Sequence, residues 1–391
     1  MSTGTRPAVA RPELHRLQLL YAAMGASVGS LLPYLVLYLT GRGLSPTEAG
    51  LVIGTMGAVG VVAVPLWGVV ADRTMGTVGA LRASCALAVV ASAVFFAAGD
   101  AMPAVVVGAM LLAAARAPGD ALSDSLTVAV LGDSATALYG HVRLWASIGF
   151  AVAVGGWGLV LARTSVNLVL LAFPLMILVV LASTTAHRWP SVAVHASPGQ
   201  GAFRDVLRSR LPFLLGGAML FGAAMGASST ALPLRLVDVG GGVVAVAAAA
   251  VVGAVAEIPF MRSSGSISRR LGLRAVFLVG GALFAASLVM YGVLSAPVLV
   301  VLACVLRGAG YALVYVALVT SVGRLVPVGQ RATGQALLQT TMMGLAPIVG
   351  SSLGGYGFQH WSPVELFGGA GALALVGAGV ARLAAVPADA G

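Results

Sequence analysis

The sequence contains no lysine, only two cysteines, and charged side chains at just 9% of its 391 positions. Water-soluble domains carry roughly 25% charged residues, so this scarcity excludes a soluble globule. Cys85 and Cys304 lie far apart inside apolar runs, which argues against a structural disulfide and for buried, inert thiols. No spacing of His, Cys and carboxylates suggests a metal site. No phosphate-binding Gly-x-x-x-x-Gly-Lys-Ser/Thr loop is present, so nothing points to ATP as the driving force. Beyond carboxylates and arginines no group suggests catalysis, and an enzyme is not expected.

What the chain does have is apolar residues, 59% of the total, with a mean hydropathy of +1.01. The formal charge of +10 comes entirely from arginine. These arginines are scattered in short loops and form no single basic face, which argues against a nucleic-acid partner. The lipid bilayer is the partner the composition demands.

Twelve apolar segments can be counted, near 15–40, 46–71, 79–98, 103–128, 140–162, 166–185, 211–237, 242–263, 274–294, 297–322, 331–356 and 364–385. Each is long enough to cross about 30 Å of hydrocarbon at 1.5 Å per residue. The expected fold class is therefore an all-α polytopic membrane protein of twelve transmembrane helices in two pseudo-symmetric six-helix bundles. Residues 1–14 read as a tail and an uncleaved first helix follows, since no small-residue cleavage site is present. Bundles are expected at 15–186 and 211–385, joined by a polar linker at 187–210 and closed by a tail at 386–391. With the N-terminus inside, sixteen arginines fall on the cytoplasmic side and three on the outer side. The positive-inside rule then puts both termini in the cytoplasm, and the expected location is the inner membrane of a bacterium.

The two halves resemble each other at a nearly constant offset. LPYLVLYLTGRG from Leu32 answers LPLRLVDVGGG from Leu232, and Pro65 answers Pro259. LLAAARAPGDAL from Leu111 answers LACVLRGAGYAL from Leu302, with Arg116 opposite Arg307 and Gly119 opposite Gly310. A six-plus-six repeat accounts for this, and substrate sites in such proteins lie near the midplane where the repeats meet.

Ionisable residues inside a membrane are expensive, roughly 2.5 to 3.5 kcal/mol at a helix centre, and mark function by default. Arg116, Asp120 and Asp124 recur at i, i+4 and i+8, on one stripe of one helix. Arg143 lies about one turn inside the next segment. These four are candidates for substrate or proton handling, and a structural ion pair between helices is the competing reading. Glu257 stands alone in VVAVAAAAVVGAVAEIPFM and is a candidate proton carrier, or a structural partner of Arg307. Most membrane aromatics are packing or interface anchors; Trp145 and Phe150 stand out because they follow Arg143. Prolines within spans, among them Pro33, Pro65, Pro118 and Pro347, are expected to kink them.

GVVADR, from Gly68 through Asp72 to Arg73, is similar to the Gly-x-x-x-Asp-Arg signature of the major facilitator superfamily, and GSISRRLGLR, with Arg269 and Arg270, resembles its second-half copy. The resemblance implies the twelve-helix fold and a gate latch at these residues; an ordinary solvated turn is the plainer reading. YGHVRLWASIGF, VAEIPFM and RATGQALLQ further resemble the branch containing lactose permease and the phenylpropionate permeases. That likeness implies substrate binding for Arg143, an acidic partner at Asp120 or Asp124, and a counterpart of the helix-eight glutamate in Glu257. Phe150 stands where lactose permease stacks a tryptophan on sugar, Arg307 replaces its helix-ten histidine, and Gly310 replaces a glutamate implicated in proton coupling.

The expectation is a secondary active transporter working by alternating access, coupling protons to symport of a sugar, nucleoside or aromatic acid. Arg143, Asp120, Asp124, Arg116, Trp145, Phe150 and Arg307 are expected to bind substrate. Glu257, Asp120 or Asp124 is expected to carry the proton. No cofactor is expected, the proton gradient being the energy source, and a monomer suffices. The alternatives are a proton-driven exporter of hydrophobic compounds and a non-transporting membrane sensor, against which the short loops argue because they leave little surface for a partner.

Overall fold

A computed structural model describes residues 11–98, 101–132, 135–185, 189, 210–327 and 331–384. The tails, and the linker with His187 and His195, lie largely outside the described residues.

Fifteen α-helices make up the described chain. They are α1 Arg11–Leu31, α2 Leu35–Gly41, α3 Pro46–Val70, α4 Gly76–Ala97, α5 Met102–Arg116, α6 Gly119–Leu131, α7 Ala135–Arg163, α8 Val169–Thr185, α9 Leu211–Asp238, α10 Gly242–Leu271, α11 Leu273–Val293, α12 Pro297–Leu325, α13 Arg331–Gln339, α14 Ala346–His360 and α15 Pro363–Ala384. Among the described residues, eleven continuous helical stretches are long and apolar enough to cross a membrane. One of them, Pro46–Ala97, runs for 52 residues. Straight, it would measure about 78 Å at 1.5 Å per residue, far more than a bilayer needs. It breaks after a π-turn, Ala71–Met75, at Gly76, whose φ of 71° is open to glycine and strained for other residues. The eleven stretches are thus twelve spans.

Three spans are each built from two helices, and proline explains every break. Pro33 lies in the single 3-10 turn between α1 and α2. Pro118 separates α5 from α6. Pro347 opens α14 after a second π-turn, Thr340–Leu345. Pro65, Pro233 and Pro259 remain inside continuous helices. His15 and His360 belong to α1 and α14.

Packing groups the chain into two compact units. Among described residues the first holds α1, α3 from Val62 onward, α4 to α6, α7 as far as Val160, and α8. Here α1 lies on α8, and α4 packs against α5, α6 and α8. The second holds Pro33–Val61, Leu161–Val166 and α9 to α15. Its α9 packs on α14 and α15, α11 on α12 and α15, and α10 on α12. In lipid there is no hydrophobic drive between helices, so close backbone approach and interhelical hydrogen bonds carry association. Gly310 shows the approach: a Cβ there would lie 2.5 Å from Phe284 N and 2.6 Å from Gly280 O, so α12 touches α11 backbone to backbone. Arg235 of α9 shows the hydrogen bonding. Its Nε and Nη2 donate to the carbonyls of Tyr291 and Leu294 at 3.2 and 3.1 Å, capping the end of α11, while Nη1 pairs with Asp238 at 2.6 Å.

Candidate functional site

In the first unit the site is built around the break at Pro118. A proline has no N–H, so the carbonyl four residues earlier, Ala114 O, loses its helical donor. The indole of Trp67, on α3, supplies one at 3.0 Å. This tie fixes the point where α5 ends at Arg116 and α6 begins, with Asp120 in the first turn of α6 and Asp124 one turn further. Asp120 lies near enough to Arg116 and Arg143 to act on both electrostatically.

Asp124 is the hub. Arg143 Nη1, from α7, donates to its Oδ1 and Oδ2 at 3.0 and 3.2 Å. Tyr21 Oη, from α1, donates to Oδ1 at 2.5 Å. Arg143 Nη1 also reaches Tyr139 Oη at 3.4 Å. A purely structural pair in a membrane helix would be sealed from solvent. Here 51% of the arginine side chain and 35% of the aspartate remain exposed, so the pair is not sealed inside the protein.

The second unit carries the other ionisable pair. Glu257 on α10 and Arg307 on α12 are half-buried and act on each other electrostatically, yet no hydrogen bond joins them. Arg307 lies against α10 at Gly253, and its Nε is buried without a hydrogen-bond partner. Beside it Tyr291 Oη donates to Cys304 Sγ at 3.2 Å, and the thiol donates on to Val300 O at 3.6 Å. Among the described residues nothing groups three or more His, Cys, Asp or Glu as a metal site would require.

The remaining candidates are placed as helix geometry dictates. Phe150 is seven residues, close to two full turns, beyond Arg143 and shares its face of α7; Trp145, two residues on, points nearly the opposite way. The structure does not bring Trp145 to the Asp124 cluster. It lines an apolar cleft of about 540 Å³ with Leu19 of α1, Trp157 of α7 and Met176 of α8. Gly68 is half-buried at the end of α3, and Asp72 and Arg73 are exposed in the π-turn that follows. Arg269 and Arg270 are exposed in the last turn of α10, where Arg269 Nη2 donates to Ser266 Oγ at 3.1 Å.

Sequence reasoning missed Tyr21, Tyr139 and Trp67. Tyr139 carries a signal, since it precedes Arg143 by four residues on one helix face. Trp67 is legible only once Pro118 is seen to orphan a carbonyl. Nothing in the sequence singles out Tyr21.

The family described as the MFS_1 like family matches residues 14–368. A maltose permease of Geobacillus stearothermophilus is 30% identical over 348 residues, 88% of this chain and 87% of the relative. The transporter YwbF of Bacillus subtilis (strain 168) is 26% identical over 367 residues, 92% of this chain and 90% of the relative. Among solved structures, the nucleoside transporter NupG superposes with a TM-score of 0.81 at 16% identity, covering 95% of this chain and 98% of that one. The POT family transporter PepTSo does so at 0.78 and 13%, covering 96% and 98%. These likenesses show the shared fold, and the relatives are transporters, not enzymes. The chain belongs to the MFS_1 like family and is a multi-pass membrane transporter of the major facilitator type.

Proposed function

We propose that this transporter is a proton-coupled symporter of a small hydroxyl-rich solute, a sugar or a nucleoside, working by alternating access of the halves at 15–186 and 211–385. The observation that carries this reading is the accessible Asp124–Arg143 pair with its two tyrosine hydroxyls. Asp124 already neutralises Arg143, so the cluster offers donors and acceptors without net charge. That suits hydroxyls better than a carboxylate, which would need an uncompensated cation. A relative named maltose permease supports the same class. Asp120, exposed one turn away and without a hydrogen bond of its own, extends the acceptor surface.

Glu257 carries the proton. Among the described residues of the spans it is the half-buried carboxyl that no hydrogen bond holds in place, and Arg307 is close enough to respond to its charge. Protonation removes a charge that otherwise opposes reorientation of the empty carrier. The energy source is the proton gradient across the cytoplasmic membrane of a bacterium, with both termini inside, and no cofactor takes part.

The test is uptake into proteoliposomes with an imposed pH gradient, using radiolabelled maltose and uridine. Wild type should accumulate at least one of them uphill, Asp124→Asn should abolish uptake, and Glu257→Gln should keep exchange while losing accumulation. Undiminished accumulation by Glu257→Gln removes the coupling assignment. Transport confined to hydrophobic drugs and indifferent to Arg143→Ala replaces the symporter by an exporter.

A further inference from the structure

We infer that Trp189 of the linker is a positioning residue for transport, wedging the apolar seat that holds the hydroxyl of Tyr21 on Asp124; the inference rests on the symport reading above. The seat is a buried cluster of Leu17 and Tyr21 on α1, Leu131 on α6 and Val142 on α7, and both Trp189 and Tyr139 pack against it. All of these residues belong to the first unit. The seat lies where α1 and α7 begin and α6 ends. Trp189 follows Thr185, the last residue of α8, by four positions and so enters from the linker.

The seat and the Asp124 cluster are one structure, because they share side chains. Tyr21 is a member of the seat and only 3% exposed, yet its hydroxyl donates to Asp124 Oδ1 at 2.5 Å. Tyr139 lies against the seat, and its hydroxyl oxygen accepts from Arg143 Nη1. Helix periodicity explains the sharing. Tyr21 stands four residues after Leu17 and Asp124 seven before Leu131, so the polar groups lie one and two turns further along the same faces of α1 and α6. A tyrosine hydroxyl is aimed by two side-chain torsions, the second of them broad, so packing on the ring decides where the oxygen points. Trp189 adds that packing from outside the helices. Its own N–H is not what holds it there. Buried indoles usually find an acceptor, whereas Nε1 of Trp189 is buried and, among the described residues, has no hydrogen-bond partner. The bulk of the ring is therefore the part of Trp189 that acts.

Uptake of maltose and uridine by proteoliposomes provides the test, with KM and turnover measured separately for wild type, Trp189→Ala, Trp189→Phe, Tyr21→Phe and the double variant of Trp189→Ala with Tyr21→Phe. An interhelical hydrogen bond in a membrane is worth about threefold in affinity on average and about twentyfold at most. Trp189→Ala and Tyr21→Phe should each raise KM within that range with turnover little changed. The double variant should be no worse than Tyr21→Phe alone, because both changes act on one bond. Trp189→Phe keeps an aromatic ring, loses only the N–H, and should keep the wild-type KM. Thermal midpoints identify the variants that fold, and Trp189→Leu takes the place of Trp189→Ala should the latter fail. A folded Trp189→Ala with the wild-type KM, KM factors that multiply in the double variant, or a Trp189→Phe as impaired as Trp189→Ala overturns the inference. A wild type that carries neither solute overturns the symport reading instead, and the midpoints of the same variants then decide for Trp189: losses that do not add tie it to Tyr21, and losses that add overturn the tie.

Discussion

Replacing Trp67 by phenylalanine isolates one hydrogen bond of the broken fourth span. The substitution keeps an aromatic body and removes the indole N–H, so Ala114 O loses its donor while Pro118 still denies it a helical one. An unmet buried carbonyl costs about 1 to 3 kcal/mol in water-soluble proteins. Interhelical hydrogen bonds in membranes measure less, about 0.6 kcal/mol on average and about 1.7 at most. The half-buried Ala114 points to the middle of that range, about 1 kcal/mol. Pro118→Ala supplies the control, because alanine returns an N–H to the helix and makes the Trp67 bond redundant. In a double-mutant cycle read by unfolding in mixed micelles, Trp67→Phe should cost about 1 kcal/mol on its own and close to nothing beside Pro118→Ala. Because the tie positions Arg116 and Asp120, Trp67→Phe should also lower uptake while leaving Asp124 and Arg143 in place. Equal costs of Trp67→Phe in the two backgrounds would refute the reasoning that the proline creates the need for the indole.

Gly310→Ala should destabilise by about 1 to 3 kcal/mol through overpacking against Gly280 and Phe284, and Gly310→Glu, which is larger and charged, should fail to fold when assayed by size-exclusion chromatography. Arg235→Lys should lower the unfolding midpoint almost as far as Arg235→Met, since a point charge does not reproduce the fork that caps Tyr291 and Leu294. Ser45 and Glu48 form a capping box at the start of α3, with bonds of 2.8 Å from Ser45 N and Oγ and 3.3 Å back from Glu48 N; Ser362 and Glu365 repeat the same three distances at α15. Ser45→Ala and Ser362→Ala should therefore cost similar amounts, about 1 kcal/mol each, by the same unfolding assay.

The architecture was legible because its signals are collective. Each span announces itself by some twenty apolar residues, and prolines such as Pro33 and Pro118 mark where helices break. The capping boxes were also readable, as S-P-T-E and S-P-V-E, to a reader looking for Ser followed three residues on by Glu. The Asp124–Arg143 pair could be anticipated because two opposite charges in neighbouring spans have few other partners. Trp145 shows the limit: nearness in sequence to Arg143 suggested a shared role, whereas two residues along a helix turn a side chain to the far face. Tyr21 was illegible for a different reason. Its hydroxyl gains meaning from a carboxylate 103 residues away, and no local pattern encodes that distance.

The π-turn at Ala71–Met75 also bears on how the protein enters the bilayer. It holds Asp72 and Arg73, both exposed, between two long apolar helices. Sliding the α3–α4 hairpin along the membrane normal by one helical turn, about 5.4 Å, would drag both charges toward hydrocarbon. Each charge costs up to roughly 3 kcal/mol at full depth. The two exposed charges therefore oppose displacement of this hairpin along the membrane normal.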